Sequence, residues 1–261
     1  MSTERGQMLL EARNIVKKFG GVVALRGVNF KVHYQEIVGL VGDNGAGKST
    51  LIKVISGVYP PEEGEIYFEG RRVFFSTPRE ARDAGIETVY QDLALAPNMD
   101  ASMNVFIGRE VVRRDWKVFR TLDKKKMFEE TKRVLRDILG VHVEDNAIRS
   151  PVLSLSGGQR QCVAIARAIY SAPKLLIMDE PTAAISVKER RKVLDLMLNL
   201  KQRGISIIFI SHTLEEIFSV ADRIVVLNRG NLVRDVPKEQ TSIEDVVTAM
   251  VSGSSQNSDL R

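Results

Sequence analysis

A mostly parallel α/β fold, with antiparallel strands near the N-terminus and a helical subdomain in the middle, is predicted by three features of the chain. The apolar run "EIVGLV" feeds directly into the glycine-rich stretch "GDNGAGKST" at 42 to 50. Two further β-rich runs, "KLLIMD" and "ISIIFIS", are bracketed by helical segments, the alternation that builds parallel sheets. From about Asp92 to Ser150, charged and helix-favouring residues dominate instead.

Taken in order, "VNFKV" and "EIVGLV" read as strands, and "KSTLIKVIS" as a helix that Gly57 and then "YPPEEG" bring to an end. "EIYFEGRRV" reads as a hairpin. "MFEETKRVLRDILG" puts Met127, Val134, Leu135, Ile138 and Leu139 near one face of a helix closed by Gly140. "RIVVLNRGNLVRDV" reads as two strands around Asn228 to Asn231, and a short helix is predicted at 242 to 251. The polar "SGSSQNSDLR" at 252 to 261 has the composition of a disordered tail.

Composition narrows the function classes. The chain has 261 residues, 44% hydrophobic and 27% charged, enough for one domain with a real core. Cys162 is the only cysteine, which excludes an intrachain disulfide and a cysteine-built metal site and fits a reducing compartment. No apolar run is long enough to cross a bilayer, and "MSTERGQMLLEARN" has no signal-type apolar region, so a cytoplasmic protein is expected. The net charge of +5 is mixed along the chain without a basic stripe, and no nucleic acid partner is expected.

The chemistry starts at Gly42, Gly47, Lys48 and Ser49, which satisfy G-x-x-x-x-G-K-[ST] between a strand and a helix. In such a loop the backbone of Gly42, Asp43, Asn44, Gly45, Ala46 and Gly47 turns its N–H groups inward, and the helix beginning Lys48-Ser49-Thr50 adds its positive dipole end. Lys48 would bridge the outer phosphates and Ser49 would supply a hydroxyl to Mg²⁺. "LLIMDEP" then ends a strand in Asp179 and Glu180, where a doubly wound sheet places its ligand crevice. Asp179 would hold Mg²⁺, and Glu180 would orient or deprotonate the attacking water. Gln91, ending "IETVYQ", is a candidate for contact with Mg²⁺ and that water, or simply a surface amide. His212, ending "ISIIFISH", is a candidate γ-phosphate partner, or a structural histidine.

A second stretch also suits an anion. In "LSGGQRQCVAIARAIY", Ser156 reads as an N-cap, and Gly157 and Gly158 leave the start of the helix open to approach. An ordinary capped helix and an anion site are both compatible with that pattern, and Cys162 reads as a small buried hydrophobe.

"GDNGAGKST", Gln91, "LSGGQ", "LLIMDE" and His212, in this order, resemble the nucleotide-binding subunit of an ABC transporter over about residues 8 to 240. "GDNGAGKSTLIKVISGVYPPEEGEI" and "YQDLALAPNMDASMNVFIGRE" are most similar to those of bacterial monosaccharide importers of the ribose, xylose and galactose type. The resemblance implies a P-loop NTPase cassette in which residues 1–261 form one ATPase domain. Residues 8–91 and 165–240 would be its nucleotide-binding core, and 92–164 a helical subdomain carrying the signature. It implies ATP and Mg²⁺ as ligands and a head-to-tail dimer, of identical chains or paralogues. Each ATP would lie between one subunit's Lys48 loop and the other's Ser156, Gly157, Gly158 and Gln159. Phe19 would stack on adenine, although it reads equally as a core residue. Gln91 and the segment after it would touch integral membrane permease subunits, to which a solute-binding protein delivers the solute. The chain would sit on the inner face of the membrane. At Ala183 to Ser186 the chain has "AAIS" where the family usually has Ser-Ala-Leu-Asp. The alternative class is a soluble ABC-type ATPase acting on nucleic acid or the ribosome, although its chromosome-bound members carry a long coiled coil that this chain lacks.

Overall fold

The computed structural model describes residues 6–113, 121–141, 143–183 and 185–253. In chain order the strands and helices are β1 Met8–Phe19, β2 Val22–His33, β3 Ile37–Val41, α1 Lys48–Ile55, β4 Glu63–Phe68, β5 Arg71–Val73, α2 Pro78–Ala84, β6 Ile86–Val89 and α3 Ala101–Phe106. There follow β7 Val112–Arg113, β8 Thr121–Leu122, α4 Lys124–Arg133, α5 Asp145–Arg149, α6 Gly157–Ile169 and β9 Leu175–Asp179. The chain then forms α7 Val187–Gln202, β10 Ser206–Ile210, α8 Leu214–Val220, β11 Arg223–Asn228, β12 Asn231–Pro237 and α9 Ile243–Ser252.

Two main sheets result. One has the order β12-β11-β3-β10-β9-β6. Its neighbours from β11 to β6 run parallel, and β12 closes the edge as the antiparallel arm of a hairpin. The other, β2-β1-β4-β5, is antiparallel throughout. Every residue of β3 and β10 is buried, as expected of central strands covered on both faces. On one side, Leu40, Ile177 and Ile208 pack with Leu51 and Ile55 of α1 and with the antiparallel sheet. On the other, Leu176 and Phe209 share a core with α6, α7 and the helical segment.

The helical segment differs in two places from the sequence expectation. Residues 112–113 and 121–122 pair as a short antiparallel ribbon. The helix predicted at 127–140 is α-helical only to Arg133, then widens into a π-turn at Val134–Ile138, where Leu139 N–H reaches the Val134 carbonyl at 3.0 Å. The added residue per turn lets Val134, Leu135 and Leu139 all be buried. The boundary expected at residue 164 falls inside α6, which crosses it unbroken. At the C-terminus α9 extends through Ser252, so only 253 of the expected tail is described outside the helix, and 254–261 lie outside the described residues.

Arg223 fastens this assembly at one end of the strands. Its guanidinium bonds Glu36 at 2.7 and 3.1 Å, Asp235 at 2.5 Å and the Lys31 carbonyl at 2.6 Å, joining β2, the start of β3 and β12. Burial alone would raise the Glu36 pKa, but the Arg223 hydrogen bonds and charge, with the His33 N–H, hold it below the usual carboxylate range. A depressed carboxylate stabilises the fold above its unfolded pKa and loses that contribution as pH falls through the folded value. Glu36→Gln is therefore expected to cost about 2 kcal/mol at pH 7. The gap from the parent should shrink in acid, as urea unfolding at several pH values would reveal.

Candidate nucleotide site

The site is built where β3 runs out. After Val41, Gly42, Gly45 and Gly47 adopt φ of 152°, 79° and 107°, left-handed or wider values that only glycine takes without strain. Space enforces the same choice, since a Cβ on Gly42 would lie 2.3 Å from the Leu227 carbonyl and one on Gly47 2.8 Å from that of Ala24. The turn between β11 and β12 braces the loop, Gly230 N–H donating to Ala46 O at 2.9 Å. No side chain caps α1 at Gly47. The first-turn N–H groups are thus left to the cavity in front of them.

That cavity measures about 460 Å³ and is lined by Asn44, Gly45, Ala46, Gly47, Lys48, Ser49 and Thr50, with Glu180 and His212 facing them. Val22, Val23, Ala24, Arg26 and Arg229 complete it. Lys48 is buried and donates to the carbonyls of Gly42, at 2.5 Å, and Asp43, at 3.0 Å. Desolvation lowers its pKa, against the opposing pull of Glu180, Asp179 and Asp43. Asp179 is shifted upward by burial and by neighbouring Glu180, with Lys48 opposing. The acids and the lysine thus sense one another across a partly desolvated space.

Glu180 and His212 are in direct contact, Oε1 to Nε2 2.5 Å apart. Glu180 has φ 51°, a costly conformation for a residue with a Cβ. Its N–H donates to Ile210 O at 3.0 Å, and its carbonyl accepts from Ala183 N–H at 3.3 Å, which fixes the turn. Parallel pairing of Asp179 with Ile210 sets the acids beside the strand that leads to His212.

Other sequence candidates lie elsewhere. Gln91 is exposed beyond β6 and is absent from the cavity lining; the loop just after it is held to α6 by Arg167, which donates to the Leu93 and Ala94 carbonyls at 2.6 and 2.8 Å. Phe19 is 43% exposed at the end of β1 and packs edge-on against Tyr59, with ring centroids 5.2 Å apart. Ser156, Gly157, Gly158 and Gln159 are also absent from the lining. Ser156 and Gln159 form a capping box on α6. Ser156 Oγ and Gly158 N–H both donate to Glu189 Oε1, at 3.0 and 3.2 Å, while the other Glu189 oxygen accepts from Ser186 N–H and Oγ. The Ser186 hydroxyl and N–H are the main causes holding the Glu189 carboxyl below its ordinary range. The expected loop Ala183 to Ser186 is described except for Ala184.

Sequence reasoning missed Arg26, Arg229, Glu189 and the start of β2. Arg26 and the β11–β12 turn meet through a backbone bond, Arg26 N–H to Gly230 O at 2.8 Å, a long-range contact with no local pattern. Glu189 did carry a signal, since Ser186-x-x-Glu189 is a capping-box spacing.

For Mg²⁺, the donor set is suitable but small: the Ser49 hydroxyl and the Asp179 carboxylate are hard oxygen ligands. No cluster of three or more His, Cys, Asp or Glu side chains fit to hold a metal occurs among the described residues. That suits an ion completed by substrate phosphates and water rather than by a protein cage.

A glycine-rich phosphate loop after β3, a histidine after the adjacent β10 and paired acids at the tip of β9 beyond it define a nucleoside triphosphatase of the P-loop class. Residues 25–183 match the family described as ABC transporter, more than half of the chain. A xylose/arabinose import ATP-binding protein of Sulfolobus acidocaldarius is 50% identical over 94% of both chains. A fructose import ATP-binding protein of Rhizobium meliloti is 46% identical over 93% of both. A ribose import ATP-binding protein of Rubrobacter xylanophilus is 41% identical, and the match covers 92% of this chain but 45% of that relative. Among solved structures, a nucleotide-free ATP-binding cassette from an ABC transporter superposes with a TM-score of 0.79 at 28% identity, covering 93% of this chain and 96% of that one. A dimeric cassette in a post-hydrolysis state, bound to ADP and Pi, gives a TM-score of 0.73 at 26% identity over 88% of this chain and 99% of its own. The chain belongs to the ABC transporter family, as an ATP-binding cassette ATPase. None of these relatives supports a role on nucleic acid or the ribosome.

Gly42→Ala is expected to destabilise the protein by about 2 kcal/mol or more, because its Cβ meets a backbone carbonyl and its φ becomes strained. Gly21→Ala, where a Cβ meets nothing within 4 Å, should stay within about 0.5 kcal/mol of the parent in the same urea titration.

Proposed function

We propose that the chain is the ATP-hydrolysing subunit of an importer whose solute is a monosaccharide. The observation that carries the hydrolytic part is the convergence of Lys48, Ser49, Glu180 and His212 on one cavity. In this reading ATP enters with its phosphates on the loop of Gly42 to Thr50, and Lys48 exchanges its two carbonyl partners for β- and γ-phosphate oxygens. Phe19, already exposed, turns from Tyr59 to stack on adenine. Glu180 takes a proton from the attacking water as the bond between the γ-phosphorus and the bridging oxygen breaks, releasing ADP and phosphate. His212 holds Glu180 through their contact and faces the γ-phosphate. When bound, Mg²⁺ supplies charge neutralisation at the phosphates, with Ser49 and Asp179 as its protein ligands. Gln91 lies outside the cavity in this conformation, so its contact with the site requires its loop to move inward.

The signature end of α6 belongs, on this reading, to a second copy's nucleotide or to a paralogue's. Supporting it, Ser156 and Gly158 already bind a carboxylate oxygen, that of Glu189, and stand apart from the chain's own cavity. Closing the dimer then replaces one anion with another at the same helix end. Residues 8–91 and 165–240 act as the nucleotide-binding part and 92–164 as the part that carries the signature, with α6 running unbroken from one into the other. Permease subunits would dock near Gln91, where Tyr90, Ala94, Arg109 and Arg167 line a separate cleft of about 290 Å³. No helix among the described residues is long and apolar enough to cross a membrane, so the transmembrane path is assigned to those subunits and solute delivery to a binding protein. The chain would work on the cytoplasmic face. The sugar assignment rests on the import proteins to which the chain is similar.

Glu180→Gln is expected to reduce phosphate release by about 100-fold or more while leaving ATP affinity within about twofold of the parent, the pattern of a lost general base. Stopped-assay phosphate measurements beside equilibrium nucleotide titration test it. Parent-like hydrolysis by the variant would remove Glu180 from the base role.

A further inference from the structure

Glu216 is a carboxylate 7% exposed on α8, a position whose neighbours Ile217 and Val220 are apolar core. A charge so placed is costly unless its oxygens are satisfied. Here one oxygen, Oε2, accepts from Thr182 Oγ1 at 2.6 Å and Ser211 Oγ at 2.9 Å. The other, Oε1, lies 3.6 Å from Arg190 Nη1 on α7. Thr182 and Ser211 are themselves 3% and 6% exposed, so water does not compete for these bonds.

Two of the three partners come from loops at the site and the third from α7. Thr182 is two residues beyond Glu180, within the turn that holds Glu180 at positive φ. Ser211 immediately precedes His212, and its oxygen accepts Thr213 N–H at 3.0 Å. Arg190 also donates to Ile185 O at 3.2 Å, in the loop where the family's usual Asp is replaced by Ser186. A single buried carboxylate thus joins the turn of the proposed base, the loop of its histidine and the segment that follows. The Glu180 conformation persists only if its surroundings over-determine it, and the Thr182 bond is one such constraint.

We propose that Glu216 is a positioning residue for hydrolysis, holding Glu180 and His212 in register by bonding Thr182 and Ser211 with one oxygen. The proposal rests on the reading of Glu180 and His212 as hydrolytic groups. Glu216 is absent from the lining of the cavity; it acts through the two hydroxyls. Displacing a catalytic group by about 1 Å typically costs on the order of 100-fold in rate, so loss of the clamp should appear in kcat.

The test compares Glu216→Ala, Glu216→Gln and Thr182→Val in the full chain, with Glu180→Gln as a control. Glu216→Ala is expected to lower kcat by about 10- to 100-fold with ATP Kd and KM within about twofold. Glu216→Gln, which keeps an acceptor oxygen for the hydroxyls, should recover most of that loss. Thr182→Val should lower kcat in the parent but add little to Glu216→Ala, the non-additivity of a shared path. Unchanged kcat in folded Glu216→Ala would overturn the proposal, as would equal losses of kcat and nucleotide affinity, or full additivity with Thr182→Val. If Glu216→Ala does not fold, Glu216→Gln and Thr182→Val alone decide: parent-like kcat in Thr182→Val overturns it. Should Glu180→Gln hydrolyse like the parent, the failure lies with the hydrolytic reading and not with Glu216.

Discussion

Two strand pairings, Asp179 opposite Ile210 and Phe209 opposite Gly39, hold the site together. They bring the carboxyl ends of β9, β10 and β3 to one edge of the sheet. From those ends emerge the Glu180 turn, the His212 loop and the phosphate loop. Because side chains alternate along a strand, a one-residue slip in either pairing would send each buried side chain into the opposite core and shift the loop that follows the strand. The fully buried β3 and β10 make such a slip expensive, so the hydrophobic core fixes the geometry of polar groups that contribute nothing to it.

The polar groups are then set against one another rather than against water. Lys48 rests on two carbonyls of its own loop, Asp179 is pushed toward protonation by burial and Glu180, and Glu180 is tied to His212. A phosphate chain brings negative charge to a loop of N–H groups and a lysine, and a divalent cation brings positive charge to the acids. The fold thus holds two incomplete half-sites in a small cavity, and nucleotide with its ion would satisfy both. The same logic extends to α6. Its N-terminal donors lie outside that cavity and are met by Glu189, which also caps Ser186 at the start of α7.

The strands with simple local patterns were legible from residues alone. "EIVGLV", "KLLIMD" and "ISIIFIS" are uninterrupted apolar runs, and they are central strands here. β1 was not legible, because its pairing shifts register at several points, including between Ala12 and Ile15, and Asn14 sits at φ 51°. Those bulges scramble the two-residue alternation by which a strand is read. The π-turn after Arg133 was hidden for a related reason, since its extra residue per turn breaks the helical period within one apolar face. At the site, Lys48, Ser49, Glu180 and His212 were readable because loop, acids and histidine each sit at a strand end. Arg26, Arg229 and Glu216 were not, because their relevance depends on contacts between segments far apart in the chain. Phe19 was named by resemblance and Gln91 by its place at a strand end, and neither is in the cavity lining in this conformation.

Whether a complete site needs two chains is decided by mixing variants. Lys48→Ala and Ser156→Arg would each be combined with Glu180→Gln to prevent turnover, and ATP-driven dimerisation followed by light scattering. Neither chain alone is expected to dimerise. The mixture is expected to do so, because one pairing unites an intact Lys48 loop with an intact Ser156 end. ATP-driven dimers of the Ser156→Arg chain alone, or a mixture that stays monomeric, would contradict a site shared between subunits.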